Sequence, residues 1–198
     1  MSPLQSLLLA LPLIPTTLAA LTPKEAQSQV LSLINDKIAA KPATLSPLWS
    51  SLPPIPVSKA LGTYHGGLFT GNNTNVTDPI NWYGKQILSE TSVNPLLVNP
   101  PSSVANAKSI VFPYPRADIA QARNVEHEGI VSATIIYAKL PLLDYLRVVK
   151  DEGGELILLG KSDLRGKEAS PPYFYLRRVE GVRVDMGYKN PYPNTSGF

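Results

Sequence analysis

The stretch Val125-Glu126-His127-Glu128-Gly129-Ile130-Val131-Ser132-Ala133-Thr134-Ile135-Ile136-Tyr137 decides the fold class. Its alternation sets Val125, His127, Gly129, Val131, Ala133, Ile135 and Tyr137 on one face. Glu126, Glu128, Ser132 and Thr134 fall on the other, with Ile130 and Ile136 as exceptions. A period of two is that of a half-buried strand, so one long strand is expected, its apolar face turned inward. His127 and Tyr137 then become polar groups pointing into the interior. Further short apolar runs lie around it, at Gly62–Phe69, Ile80–Ile87, Leu156–Gly160 and Tyr173–Arg178. Polar turns are expected over Gly71–Asp78 and Ser162–Ser170. Many short strands broken by Gly and Pro predict a mainly β chain forming a single antiparallel barrel.

Helices are expected to be few. Thr22-Pro23-Lys24-Glu25 offers a capping residue, a Pro at the first helical position and the Glu of a capping box. Val30, Leu31, Ile34 and Ile38 follow at helical spacing, predicting an N-terminal helix to about Ala40. Pro42 to Pro56 reads as an extended, Pro-rich connector. Leu140 to Val149 reads as a short helix on which Asp144 and Arg147, three apart, form an ion pair. The organisation expected is a leader over 1–20, a helix and connector over 21–58, and a barrel over 59–198.

Composition removes whole classes of function. The chain has 198 residues, 43% hydrophobic and 17% charged, with 20 Pro, no Cys, two His and a net charge of +3. That length suits one domain with a real core. Without Cys there are no disulfides, thiolate metal sites or cysteine nucleophiles, and two distant His make no metal cluster. The basic residues form no dense run, which speaks against nucleic acid as a partner. Eleven of the prolines lie between Pro42 and Pro115, around the first strands.

Met1 to Ala20 carries no charged side chain, centres on Leu7–Ile14 and closes on Thr16-Thr17-Leu18-Ala19-Ala20. An apolar run followed by small residues predicts a signal peptide cut after Ala19 or Ala20. The run is too short, with Pro12 and Pro15, to span a bilayer. The expected location is therefore secreted or lumenal, without stable membrane insertion. Sequons at Asn72, Asn75 and Asn194 agree with passage through a secretory lumen.

Gly62-Thr63-Tyr64-His65-Gly66-Gly67, followed by Trp82-Tyr83-Gly84-Lys85, resembles the GXWXG motif domain. Gly129–Ala133 through Tyr137, then Pro141–Arg147, Gly160–Asp163 and Pro172–Leu176, resemble its uncharacterised C-terminal companion domain. The resemblance covers about Leu61 to Arg178 and implies a small calycin-like or lipocalin-like barrel whose interior suits an apolar ligand. Tyr64 stands where the motif has Trp, and Tyr145-Leu146 replaces the His-Phe expected after Asp144.

The candidate residues follow from the expected interior. His127, Tyr137 and Arg177 are the catalytic candidates, and Tyr64, His65, Trp82, Lys85, Tyr173 and Tyr175 the ligand-binding ones. Arg177 shares a face with Tyr173 and Tyr175, forming a Tyr/Arg stripe that an interior would use. Lys85 is either a solvated rim charge or a cavity donor, and the rim is favoured. No phosphate loop, dinucleotide fingerprint, nucleophile elbow or metal-spaced cluster is present, and no cofactor is expected. The function expected is a cofactor-free cyclase or isomerase, of hetero-Diels–Alder type, acting on a lipophilic natural-product intermediate. A carrier of a lipid or similar ligand is the alternative, and a protein acting through its surface is a third reading. The partner expected is a lipophilic small molecule, and a homodimer is left open.

Overall fold

Thr22 caps the first helix as its sequence requires. Its backbone N–H donates to Glu25 Oε2 at 2.9 Å while its hydroxyl accepts from the Glu25 N–H at 3.3 Å. The computed structural model describes residues 21–71, 80–100, 110–114 and 119–186, apart from the side chains of 170 and 171. The expected leader and the sequons at Asn72, Asn75 and Asn194 lie outside these residues, as does most of the turn expected over Gly71–Asp78. Helix α1, Pro23–Asn35, buries Ala26, Val30 and Ile34. A second helix, α2, spans Pro42–Ser51, where an extended connector was expected. Pro42 sits in its first turn, where the missing N–H has no intrahelical role. Pro47 forgoes one bond, and burial of Leu45, Leu48 and Trp49 outweighs it. No helix among the described residues is long and apolar enough to cross a membrane.

The rest is sheet. The strands are β1 Gly62–Leu68, β2 Trp82–Ile87, β3 Val93–Val98, β4 Ile110–Pro113, β5 Ala120–His127 and β6 Ile130–Tyr137. They continue with β7 Leu142–Glu152, β8 Glu155–Leu164, β9 Glu168–Val179 and β10 Arg183–Val184. The sheet runs β10-β4-β3-β2-β1-β9-β8-β7-β6-β5 and closes where Val93 of β3 meets Ala120 of β5. Strands β1–β3 and β5–β9 form an eight-stranded antiparallel barrel, the mainly β architecture expected. One apolar cluster lines its interior, including Tyr64, Ile87, Ile135, Leu146, Leu158 and Phe174. A second lies outside, between the two helices and the outer face of β7–β9, around Trp49, Tyr145, Leu159 and Tyr173.

Two readings are corrected. Val125–Tyr137 is not one strand but a hairpin, turned at Glu128 (φ 54°) and Gly129 (φ 76°). Two successive residues at positive φ make the tight turn whose twist matches the flanking strands. Across it His127 pairs with Ile130, Val131 is 56% exposed, and Ser132 and Thr134 are buried. Leu140–Val149 is strand rather than helix, and Gly153-Gly154 reverses it into β8 (φ 62° and 78°).

The Pro-rich segment also completes the wall. Strands β6 and β7 pair only from Thr134–Ile136 to Leu143–Tyr145 and then part. Residues Pro53–Val57 enter the gap. Ala133 N–H donates to the Ile55 carbonyl at 2.7 Å, Val148 N–H to that of Pro53 at 2.9 Å. Ile55 N–H donates to Ser132 Oγ at 3.0 Å, and Val57 N–H to Asn124 Oδ1 at 2.9 Å. Pro53, Pro54 and Pro56 have no N–H to leave unsatisfied, which suits them to such an insertion. The segment expected to stand apart as a connector thus belongs partly to the barrel wall.

Close approach between β1 and β2 depends on Gly84. A Cβ there would lie 1.9 Å from the Tyr64 carbonyl oxygen and 2.9 Å from the Gly66 nitrogen. Gly84→Ala should therefore destabilise by about 3 kcal/mol, because backbone must move. Gly153→Ala, with nothing within 4 Å, should cost about 1 kcal/mol through its positive φ alone. Urea denaturation of the two variants checks this, and equal losses would disprove the tight β1–β2 approach.

Candidate active site

Trp82 and Lys85 are three apart, and in a regular strand would face opposite ways. The register of β2 against β3 shifts on both sides of Gly84, and this irregularity turns both side chains inward. Lys85 lies opposite Tyr64 and is 2% exposed. Its amine is therefore not the rim charge that the sequence reading favoured.

The Lys85 Nζ donates to Tyr137 OH at 2.8 Å and to the Pro95 carbonyl at 3.0 Å. It also lies 2.8 Å from Asp144 Oδ2. Tyr137 OH donates to the same Asp144 oxygen at 2.8 Å, and Ser162 Oγ donates to Asp144 Oδ1 at 2.6 Å. Asp144 is 1% exposed. Three rings stand around the ammonium, with centroids 4.7 Å (Phe174), 5.4 Å (Tyr137) and 5.5 Å (Trp82) from Nζ. Their negative faces favour a cation. Burial pushes the Tyr137 phenol well above its ordinary value, and the Asp144 charge and hydrogen bond push it the same way. Tyr137 is therefore a neutral donor at any working pH.

Tyr64 and Trp82 complete the interior wall. The Tyr64 hydroxyl donates to the Ala60 carbonyl at 2.8 Å, and Trp82 Nε1 to that of Gly84 at 2.8 Å. Trp82 meets Phe174 edge to face at 5.8 Å. Gly66 makes room for the indole, since a Cβ there would fall 2.3 Å from its ring. Of the residues singled out from sequence, Tyr64, Trp82, Lys85 and Tyr137 come together here.

The other five do not. His127 ends β5 and stacks on Tyr145, centroids 3.8 Å apart and planes 6° off parallel, on the outer side. The hairpin turn is the reason, because β5 and β6 do not share one alternation. Tyr173 and Tyr175 face outward, beneath α2 and against Phe69. Arg177 is half-exposed on that same face, paired with Glu155 and bonded to Asn35 Oδ1 at 3.1 Å. The Tyr/Arg stripe exists but lines the outside. His65 is exposed and meets Tyr83 edge-on at 5.0 Å.

Asp144 and Ser162 were missed as site residues. As a strand, β7 separates Asp144 from Arg147 onto opposite faces, so the expected ion pair between them does not form. The Gly153-Gly154 pair between two apolar runs is the signal that would have identified a hairpin, and with it an inward Asp144.

Removing one member of a buried ion pair leaves the other uncompensated, at about 3–5 kcal/mol. Asp144→Asn and Lys85→Met should each cost that much, while the double variant should cost far less than their sum. A double-mutant cycle in urea measures the coupling. Additive losses would show that the pair is not an energetic unit.

Comparison with known proteins places these elements in a wider group. Residues 47–102 match the family described as GXWXG protein, and residues 118–178 match the domain of unknown function DUF4334. Among curated proteins none matches the sequence. A crystal structure of a protein from Thermomonospora curvata is 30% identical, with a TM-score of 0.66, covering 78% of this chain and 99% of that one. Lys85 falls within the first matched segment, and Tyr137, Asp144 and Ser162 within the second, so the interior cluster is assembled from both. The chain belongs to the family that joins a GXWXG domain to a C-terminal DUF4334 domain.

Proposed function

We propose that the chain is a cofactor-independent cyclase or isomerase for a lipophilic substrate, working in the barrel interior with Lys85 and Tyr137 as its donors. The observation that carries this reading is the Lys85–Tyr137–Asp144 triangle, a charged and hydrogen-bonded group enclosed by apolar walls. A substrate carbonyl that took the place of the Pro95 oxygen at Lys85 Nζ would be polarised by an ammonium that Asp144 holds in position. A donor aimed at developing charge in a water-poor site is worth about 3 kcal/mol. Trp82, Phe174 and Tyr64 would hold the reacting ends close, which contributes up to ~7–11 kcal/mol in the best intramolecular cases. Ring closure of hetero-Diels–Alder type redistributes bonds without gain or loss of atoms, so position and polarisation are all the chain must supply. On this reading Met1–Ala20 directs the chain to the secretory lumen, where the sequons at Asn72, Asn75 and Asn194 would be open to glycosylation.

One observation favours the alternative, a carrier of a lipid or other lipophilic ligand. The three contacts of Lys85 Nζ are all made within the protein, and the Tyr64 and Trp82 donors already meet backbone carbonyls. Such an interior binds by shape as readily as by polarity.

Incubation of the protein with polyene and quinone-methide substrates, followed by mass spectrometry, separates the two. The cyclase predicts an isomeric product of unchanged mass, and Lys85→Met or Tyr137→Phe should lower its rate by about 10²-fold or more. Both variants must first be shown to be folded. Full activity in both would remove the interior cluster from the chemistry, and a co-purified lipid with no turnover would establish the carrier.

A further inference from the structure

Outside the barrel, beneath α2, lies a second polar cluster that the interior chemistry does not use. Tyr145, Lys161 and Tyr173 stand in register across β7, β8 and β9, and Arg147 follows Tyr145 along the same face. Arg147 is 2% exposed, its guanidinium 5.2 Å from the centre of the Trp49 ring. Among the described residues its Nη2 has an acceptor, the His127 carbonyl at 3.3 Å, whereas Nε and Nη1 have none. His127 Nε2 is likewise buried without a hydrogen bond. The Tyr173 hydroxyl lies near Ser46 without reaching hydrogen-bond geometry. A desolvated guanidinium with most of its N–H groups unmatched is costly unless an anion is at hand.

Asp163 lies near His127 and Tyr145 and Glu168 near Lys161 and Tyr173, but the carboxylate whose charge reaches Arg147 is that of Glu128. Its Oε1 accepts from Lys161 Nζ at 2.7 Å and lies 3.4 Å from His127 Nε2, and its Oε2 accepts from Trp49 Nε1 at 3.1 Å. Yet Glu128 occupies a turn position at φ 54°, which favours Asn, Asp or Gly, and its side chain is 44% exposed. A residue poorly suited to its backbone conformation points to a role for its side chain. The half-exposed Glu128 carboxylate stands near the rings of Trp49, His127, Tyr145 and Tyr173 and near the unmatched Arg147.

We propose that this cluster binds a small aromatic carboxylate, whose place the Glu128 side chain takes. The ligand's carboxylate would accept from Lys161 and Trp49 and its ring would lie among the aromatic walls. Arg147 would supply a charge that Glu128, half-exposed, only partly matches. Glu128 can leave when a ligand's carboxylate takes over its bonds to Lys161 and Trp49 and its charge near Arg147. The proposal is independent of any chemistry in the barrel interior.

Benzoate, titrated against chloride at constant ionic strength, tests this in ¹H–¹⁵N spectra of the full chain. The two tryptophans give two indole N–H signals, and Trp49→Phe assigns that of Trp49. Glu128→Asn suits the turn and removes the competing carboxylate. It should show a saturable shift of the Trp49 signal, with at least about tenfold tighter affinity than the unaltered protein. Arg147→Met should abolish the shift, and Lys161→Met, which leaves the buried guanidinium in place, must weaken binding by about tenfold or more. A shift that does not saturate, that chloride alone reproduces, or that Lys161→Met leaves intact would overturn the proposal. So would equal affinities in Glu128→Asn and the unaltered protein.

Discussion

An ammonium group stands in an apolar barrel only where its neighbours replace water, and five strands share that task around Lys85. It rises from β2, takes a carbonyl from β3, a phenol from β6 and a carboxylate from β7, which a hydroxyl on β8 supports. A slip of one residue would turn any of these partners outward, and a slip of two would carry it about 7 Å along the strand. Apolar packing tolerates small errors of fit. A buried charge does not, so the cluster selects one alignment of these strands among those that bury similar apolar area.

The same strands carry a second chemistry on their other side. Along β7, Asp144, Leu146 and Val148 face the interior, while Tyr145, Arg147 and Val149 face the helices. Both faces are covered, and both contain buried charge. This accounts for the β7 sequence, which lacks the simple alternation of a strand with one wet face. It also explains why Arg147 and Asp144, close in sequence, serve unrelated surroundings.

That double coverage set the limit of what the sequence could reveal. The capping box of α1 was legible because its residues act within one turn of each other. Strand β1 and the GXWXG resemblance were legible for a similar reason, since spacing carries them. Strand β7 was not, because Leu, Tyr, Leu and Val on two buried faces read equally well as a helical stripe. The β5–β6 hairpin was hidden by an alternation that happens to continue in phase through Glu128 and Gly129. From that error came the inward placement of His127, while Tyr137 stayed correctly inside. Lys85 was misplaced by a bulge, which no side-chain pattern announces. The helix α2 was hidden by Pro42 and Pro47, residues that argue against a helix unless tertiary packing holds them.

The insertion of Pro53–Val57 between β6 and β7 bears on how the chain reaches this state. Its hydrogen bonds join Ile55 to Ser132, 77 residues away, and Pro53 to Val148. The wall at that point cannot be finished until both later strands exist. A chain emerging from the ribosome therefore cannot set Ile55 in its final place until Ser132, 77 residues later, has been made. Contacts of such sequence separation make folding slow and late. The prolines that suit the finished wall also keep this waiting segment from pairing with strands of another chain, since they present few N–H groups to a stray edge.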